Sequence, residues 1–283
     1  MALEPGVVAL VLLAALFHAS WNALVKNGQD RLATMSLVIG VGGLIGLLGL
    51  PFVALPAAGA WPWLLASVAL HQVYFAVLLL AYRSGDLSQV YPIARGTAPM
   101  LVALGAWILA GEVLSPVEAL GVAIVSLGIV SLAWRRGLRP SGEWSALCFA
   151  LMTACSIGLY SLADGLGVRS AGTALGYIFM LFFLEALPFL AFALWWRGPS
   201  LWRFAPGELR AGLLGGVISV VAYGCVIWAF SQGPMAHIVA LRETSVLIAA
   251  GIGAWLLKEP FGRQRIAASA VVACGAVLLN AGF

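Results

Sequence analysis

The sequence predicts an all-α integral membrane protein: ten transmembrane helices in two inverted five-helix repeats around a central cavity. Three observations carry that prediction. Of 283 residues, 63% are hydrophobic and only 9% charged, whereas a water-soluble domain carries about 25% charged residues. Long, nearly uncharged apolar runs recur from end to end, each able to cross a hydrocarbon core of about 30 Å as a helix of roughly 20 residues. The second half of the chain also repeats, weakly, features of the first.

In order, the predicted spans cover residues 6–25, 33–55, 61–82, 88–110, 116–134, 144–162, 173–196, 208–231, 235–257 and 264–281. The first lacks a basic leader and a small-residue cleavage site and reaches full helix length, so it reads as a span and not a cleaved signal. Span 2 holds the G-x-x-x-G pair Gly42 and Gly46, and span 8 holds Gly212 and Gly216. Small residues let helix backbones approach where lipid supplies no hydrophobic drive between helices. Span 3 sets His71, Tyr74, Phe75, Leu78 and Tyr82 at the spacing of one helical face. Near its start span 4 carries YPIARGTAP, residues 91–99, an arginine between two prolines. Pro92 is expected near the first turn, where a missing N–H costs little. Pro99 is interior and should loosen the helix. Span 7 carries Glu185 near its middle, and span 9 carries Arg242. The connections are too short for a soluble domain. Cys148, Cys155, Cys225 and Cys274 lie in apolar spans without a C-x-x-C pair. They read as small buried apolar residues, not as disulfides or a zinc site.

Charge sets the expected orientation. The loops after spans 1, 3, 5, 7 and 9, with adjoining span edges, hold twelve Lys and Arg residues; the opposite side holds Arg169 alone. By the positive-inside rule both termini face away from the cytoplasm of a cell (inner) membrane. The basic residues are therefore topological, and no nucleic-acid partner is expected.

The halves align at an offset of 147 to 148 residues. Ala81 and Gly85 meet Ala229 and Gly233; with a one-residue slip Arg95 meets Arg242 and Glu112 meets Glu259. Near offset 138, Asn22 meets Tyr160 and Lys26 meets Asp164. The first repeat covers residues 1–138 and the second 139–283. Five spans per repeat is an odd number, so the second must insert upside down. Inverted repeats mark alternating-access transporters, with the site where the repeats meet.

YPIARGTAP, VALRETSV (239–246), FHASWNALVKNG (17–28) and the G-E and K-E endings of spans 4 and 9 resemble the drug/metabolite transporter superfamily. The pattern is that of its ten-helix, paired-repeat (EamA-like) branch. The resemblance covers essentially the whole chain. It implies a basket-like bundle, with helices 5 and 10 peripheral and helices 1, 3, 4, 6, 8 and 9 lining much of the path. Amino-acid exporters, including those of aromatic amino acids, are the nearest analogy. One feature departs: small multidrug members carry an essential glutamate in their first helix, and here span 1 offers His18, Trp21 and Asn22 but no acid.

The candidate substrate-binding residues are Trp21, Asn22, His71, Tyr74, Phe75, Leu78, Arg95, Tyr160, Tyr223 and Arg242. An arginine within a span costs roughly 2.5–3.5 kcal/mol at its centre. Arg95 and Arg242 therefore either meet a substrate carboxylate or gating acid, or snorkel to the near surface, or pair structurally, with Glu243 and Asp86 as available partners. The aromatic face of span 3 and Tyr223 of span 8 suit an apolar cavity wall; ordinary helix packing would use the same residues. Trp21 is either a site residue or an interfacial anchor, and Asn22 and Tyr160 are site residues or interhelical glue. Glu185 is the candidate proton carrier, or a bonded structural acid. His18 and His237 could titrate near neutrality or simply hydrogen-bond.

No H-E-x-x-H, G-x-S-x-G or phosphate-binding loop occurs, so an enzyme is not expected, nor any cofactor or metal. The partners expected are a small-molecule substrate, the bilayer and, for coupling, protons; a monomer suffices. Export of drugs, nucleosides or sugar derivatives stands as the alternative within transport. A non-transporting membrane receptor or a lipid-handling enzyme stands as the alternative outside it.

Overall fold

The computed structural model describes residues 3–26, 30–84, 87–132, 143–202, 204, 206–248, 251 and 263–280, and the regular structure among them is helical. The helices are α1 (Pro5–Lys26), α2 (Arg31–Gly49), α3 (Trp61–Ser84), α4 (Leu87–Ala110), α5 (Pro116–Val130), α6 (Glu143–Ser170), α7 (Ala174–Arg197), α8 (Pro206–Phe230), α9 (Met235–Arg242) and α10 (Arg263–Asn280). Seven of the described helices are long and apolar enough to cross a membrane; Pro116–Val130 and Ile266–Leu279 are apolar but shorter.

Local chemistry sets the ends. Asp30 caps α2 by accepting from Ala33 N–H. Ser115 and Glu118 form a capping box around Pro116 at the start of α5, satisfying two orphan amides at once. Thr173 caps α7, which ends at Gly198 in a positive-φ conformation, φ 63°, open to glycine without a Cβ clash.

Four expectations are corrected. Span 2 stops at Gly49 and tightens into a 3₁₀ turn over Leu50–Phe52, because Pro51 has no N–H to extend the helix. Span 6 runs to Ser170, eight residues beyond the expected end at 162. Span 9 breaks after Arg242: Thr244 N–H bonds the Leu241 carbonyl and Val246 N–H bonds that of Glu243, a local i→i+3 pattern. Non-helical backbone at membrane depth is tolerated where protein or a water-filled site surrounds it. Pro92, finally, is the sixth residue of a helix beginning at Leu87, past the first turn. Pro99 also lies inside α4, so the carbonyl of Arg95, four residues back, loses its helical donor.

The glycine pairs pack as expected. A methyl on Gly46 would collide with the Phe179 carbonyl of α7; Gly212 and Gly216 of α8 receive Leu37 and Val41 of α2. Gly121 of α5 and Gly275 of α10 press backbone against backbone. The outer surface is apolar: Leu48, Trp107, Ile108, Leu214 and Val217 are exposed, as lipid contact requires. Trp195 and Trp196 are exposed at the end of α7 beside Arg197, the place of an interfacial aromatic belt. Cys148, Cys155 and Cys274 are exposed and Cys225 half-buried, not buried as expected; a thiol is apolar enough to face lipid. Helix α6 occupies the centre: 61% of its apolar window is buried, against 28–44% for the other six.

Candidate functional site

Two arginines from different helices meet on one acid. Arg95 of α4 donates from Nη1 to Glu243 Oε1 at 3.1 Å. Arg242, at the end of α9, donates to the same oxygen from Nε at 3.1 Å and Nη2 at 2.9 Å. All three side chains are buried, Glu243 completely. Arg95 Nη2 also bonds Nε2 of His18 on α1. His18 in turn carries the Trp21 ring edge-on at 5.4 Å, and its carbonyl accepts from Asn22 at 2.7 Å. Arginines stay charged in proteins, so two cations meet on one carboxylate oxygen in the interior.

An aromatic set adjoins this cluster. His71 stacks on Tyr160 at 4.0 Å and meets the edge of Tyr223 at 5.7 Å. Tyr74 lies edge-on to Tyr160 at 5.6 Å, and Phe75 packs against Phe189 of α7 at 5.2 Å. Tyr160 lies within range of the charges of Arg242, Arg95 and Glu243 and of a second acid. That acid is Asp164 of α6, fully buried. It accepts from the Tyr177 hydroxyl at 3.1 Å and from the Tyr223 hydroxyl.

At the end of the bundle where α6 stops and α9 starts, Arg169 and Glu112 pair at 2.6 Å. Arg169 also donates to the carbonyls of Phe230 at 2.8 Å and Gly233 at 2.7 Å. Glu112 accepts from Met235 N–H at 2.9 Å. The packing behind this clasp is tight: Val11, Leu64, Val102, Phe230, Met235 and Ile238 are each fully buried. Trp21, Asn22, Tyr74, Phe75 and Tyr223 are only half-buried.

Residues 144–281 match the EamA-like transporter family. The match covers just under half of the chain and supports the resemblance to the drug/metabolite transporter superfamily. Together with the apolar helices it implies a multi-pass membrane transporter of small molecules. A solved crystal structure matches over 97% of this chain and 98% of its own, with a TM-score of 0.77 and 19% sequence identity. At that identity the likeness speaks for the fold. No curated protein matches the chain.

The EamA-like half contributes Tyr160, Asp164, Tyr177, Tyr223, Arg242 and Glu243 to the two networks; the first half contributes His18, His71, Tyr74 and Arg95. The structure thus gathers most of the residues singled out by sequence. Leu78 lies on α3, but its side chain is outside the described ones, as are Tyr82 and Asp86. Glu185 is buried on α7; its backbone carbonyl accepts from Gln72 at 3.2 Å. His237 lies away from both clusters, 3.4 Å from Glu118. Three participants were missed: His18 as the partner of Arg95, Tyr177, and Asp164. Asp164 carried a legible signal, its alignment with Lys26, but the expected end of span 6 at 162 put it in a loop.

Proposed function

We propose that the chain is a secondary transporter, non-enzymatic, that exports small amphipathic metabolites by alternating access. Amino acids, including aromatic ones, are its first substrates. The architecture is two inverted repeats, 1–138 and 139–283, about a central cavity. The observation that carries the substrate class is the pair of buried cations, Arg95 and Arg242, that meet on Glu243 next to an aromatic wall. A substrate carboxylate would meet these guanidinium groups through charge-assisted hydrogen bonds, and its apolar side chain lies against His71, Tyr74, Phe75 and Tyr160. Trp21 and Asn22 flank the half-buried side.

Purified full-length protein in liposomes should exchange radiolabelled phenylalanine, and leucine more weakly. Phenethylamine, which lacks the carboxylate, should not move. Flux of nucleosides or cationic drugs without amino-acid flux would replace the substrate class. Binding without any flux would point to a receptor.

Alternating access needs a closure that opens, and the Arg169–Glu112 clasp is the candidate. By charge, its end of the bundle is the non-cytoplasmic one. Glu112→Gln keeps the shape but removes the charge opposite Arg169. In a cysteine-free background, Val7→Cys, behind the clasp and nearly buried, should then react with maleimide about fivefold faster, the worth of roughly 1 kcal/mol. Equal rates with and without Glu112→Gln would leave the clasp a purely structural tie.

A further inference from the structure

Asp164 has no part in carrying substrate charge as proposed above, yet the polar interior converges on it. It stands one helical turn beyond Tyr160 on α6 and gathers hydroxyls from two other helices: Tyr177 of α7 on Oδ1 and Tyr223 of α8 on Oδ2. A carboxylate accepts on both oxygens at once; an amide offers an acceptor on one side only. His71, which Tyr223 meets, is seated within its own helix: Nδ1 lies 2.9 Å from the Ser67 carbonyl. A carbonyl oxygen only accepts, so Nδ1 carries the proton.

The two tyrosines differ in what they do at their other face. Tyr177 is wholly buried in the apolar core. The Tyr223 ring is half-buried and stands edge-on to His71 at 5.7 Å, to Tyr160 at 6.0 Å and to Phe182 at 6.5 Å. A tyrosine ring turns freely about two side-chain bonds unless its hydroxyl is held. Asp164 holds it. One acid thus fixes the Tyr223 ring of α8 where it meets His71 of α3 and Tyr160 of α6.

We propose that Asp164 is a positioning residue for aromatic selectivity: it pins the Tyr223 hydroxyl so that the Tyr223 ring, beside His71 and Tyr160, is preset to receive a flat aromatic side chain. This rests on the amino-acid reading of the same site. Asp164→Asn replaces an acceptor by a donor on one side, so one of the two tyrosine hydroxyls can no longer donate to it. Tyr223→Phe removes the hydroxyl while keeping the ring.

The experiment compares kcat/KM for phenylalanine with that for leucine in proteoliposomes of full-length wild type, Asp164→Asn, Tyr223→Phe and the double variant. Each single variant should lower the phenylalanine-to-leucine ratio about tenfold, the worth of a lost edge-on aromatic contact. The loss should lie in KM, with kcat for leucine near wild type. The double variant should be no worse than either single one, because both break the same bond. An unchanged ratio in both single variants overturns the proposal. So do losses that multiply in the double variant, and so does a uniform fall in flux for both substrates that tracks a lower melting temperature. If Asp164→Asn fails to fold, Tyr223→Phe decides alone: a retained ratio overturns the proposal. Wild type that moves neither amino acid sinks the substrate class and this proposal together, whereas wild-type flux with unaltered variant ratios sinks this proposal only.

Discussion

Glu243→Gln should be the most damaging single substitution in the chain. The Glu243 carboxylate is fully buried, and its Oε1 accepts three hydrogen bonds, one from Arg95 and two from Arg242. An amide of the same shape can still accept, but it carries no charge. Two guanidinium groups would then face each other inside the bundle, with Coulomb repulsion in a poorly screening medium. Breaking a buried pair by removing one partner costs about 3–5 kcal/mol, set against a total stability of about 5–15 kcal/mol. The expected result is a sharp loss of monodisperse protein in detergent and a lower melting temperature, followed through tryptophan fluorescence. Combining Glu243→Gln with Arg95→Gln leaves a single cation and should recover part of the loss. A Glu243→Gln protein as stable as wild type would mean that the two arginines are neutralised by another group.

Arg95→Gln should do the reverse, keeping the fold and losing the transport. Its removal leaves Arg242 and Glu243 paired through both of their bonds, at 3.1 and 2.9 Å. The like charge beside Arg242 disappears, which offsets the bonds that Arg95 gives up, so melting should stay close to that of wild type. What is lost is a cation that a substrate carboxylate would meet. A hydrogen bond to a charged group contributes about 1.5–3 kcal/mol, so KM for phenylalanine should rise about 10- to 100-fold. Wild-type kinetics in both Arg95→Gln and Arg242→Gln would remove the two arginines from substrate recognition. The contrast is the sharper test: one acid and one base of a single cluster, with opposite effects on stability and flux.

The positions of the helices were largely legible because hydropathy is a local property. Span 1 at 6–25 differs from Pro5–Lys26 by a residue at each end, and span 7 at 173–196 from Ala174–Arg197 by the same. The errors fall where a polar group is satisfied from afar. Asp164 and Arg169 lower the apparent hydropathy after residue 162, yet α6 continues to Ser170. Asp164 is bonded by Tyr177 and Tyr223, 13 and 59 residues away, and Arg169 by carbonyls 61 and 64 residues away. The paired arginines were visible as a recurrence at corresponding places in the two halves. That they would meet on one carboxylate oxygen was not. Nor was the break in span 9 after Arg242, since residues 235–257 read as one apolar run.

From composition and pattern alone the chain is a membrane-embedded helical protein, with close-packing glycines on α2 and α8 and arginines placed where lipid would not tolerate them. Those conclusions follow because burial in lipid is additive along a segment, and each helix satisfies its own backbone. Which polar groups meet was decided by the tertiary structure: Arg95 with Glu243 across 148 positions, His18 with Arg95 across 77. Hydrogen bonds and ion pairs act over about 3 Å, and helix packing, not sequence spacing, brings such distant residues within that reach.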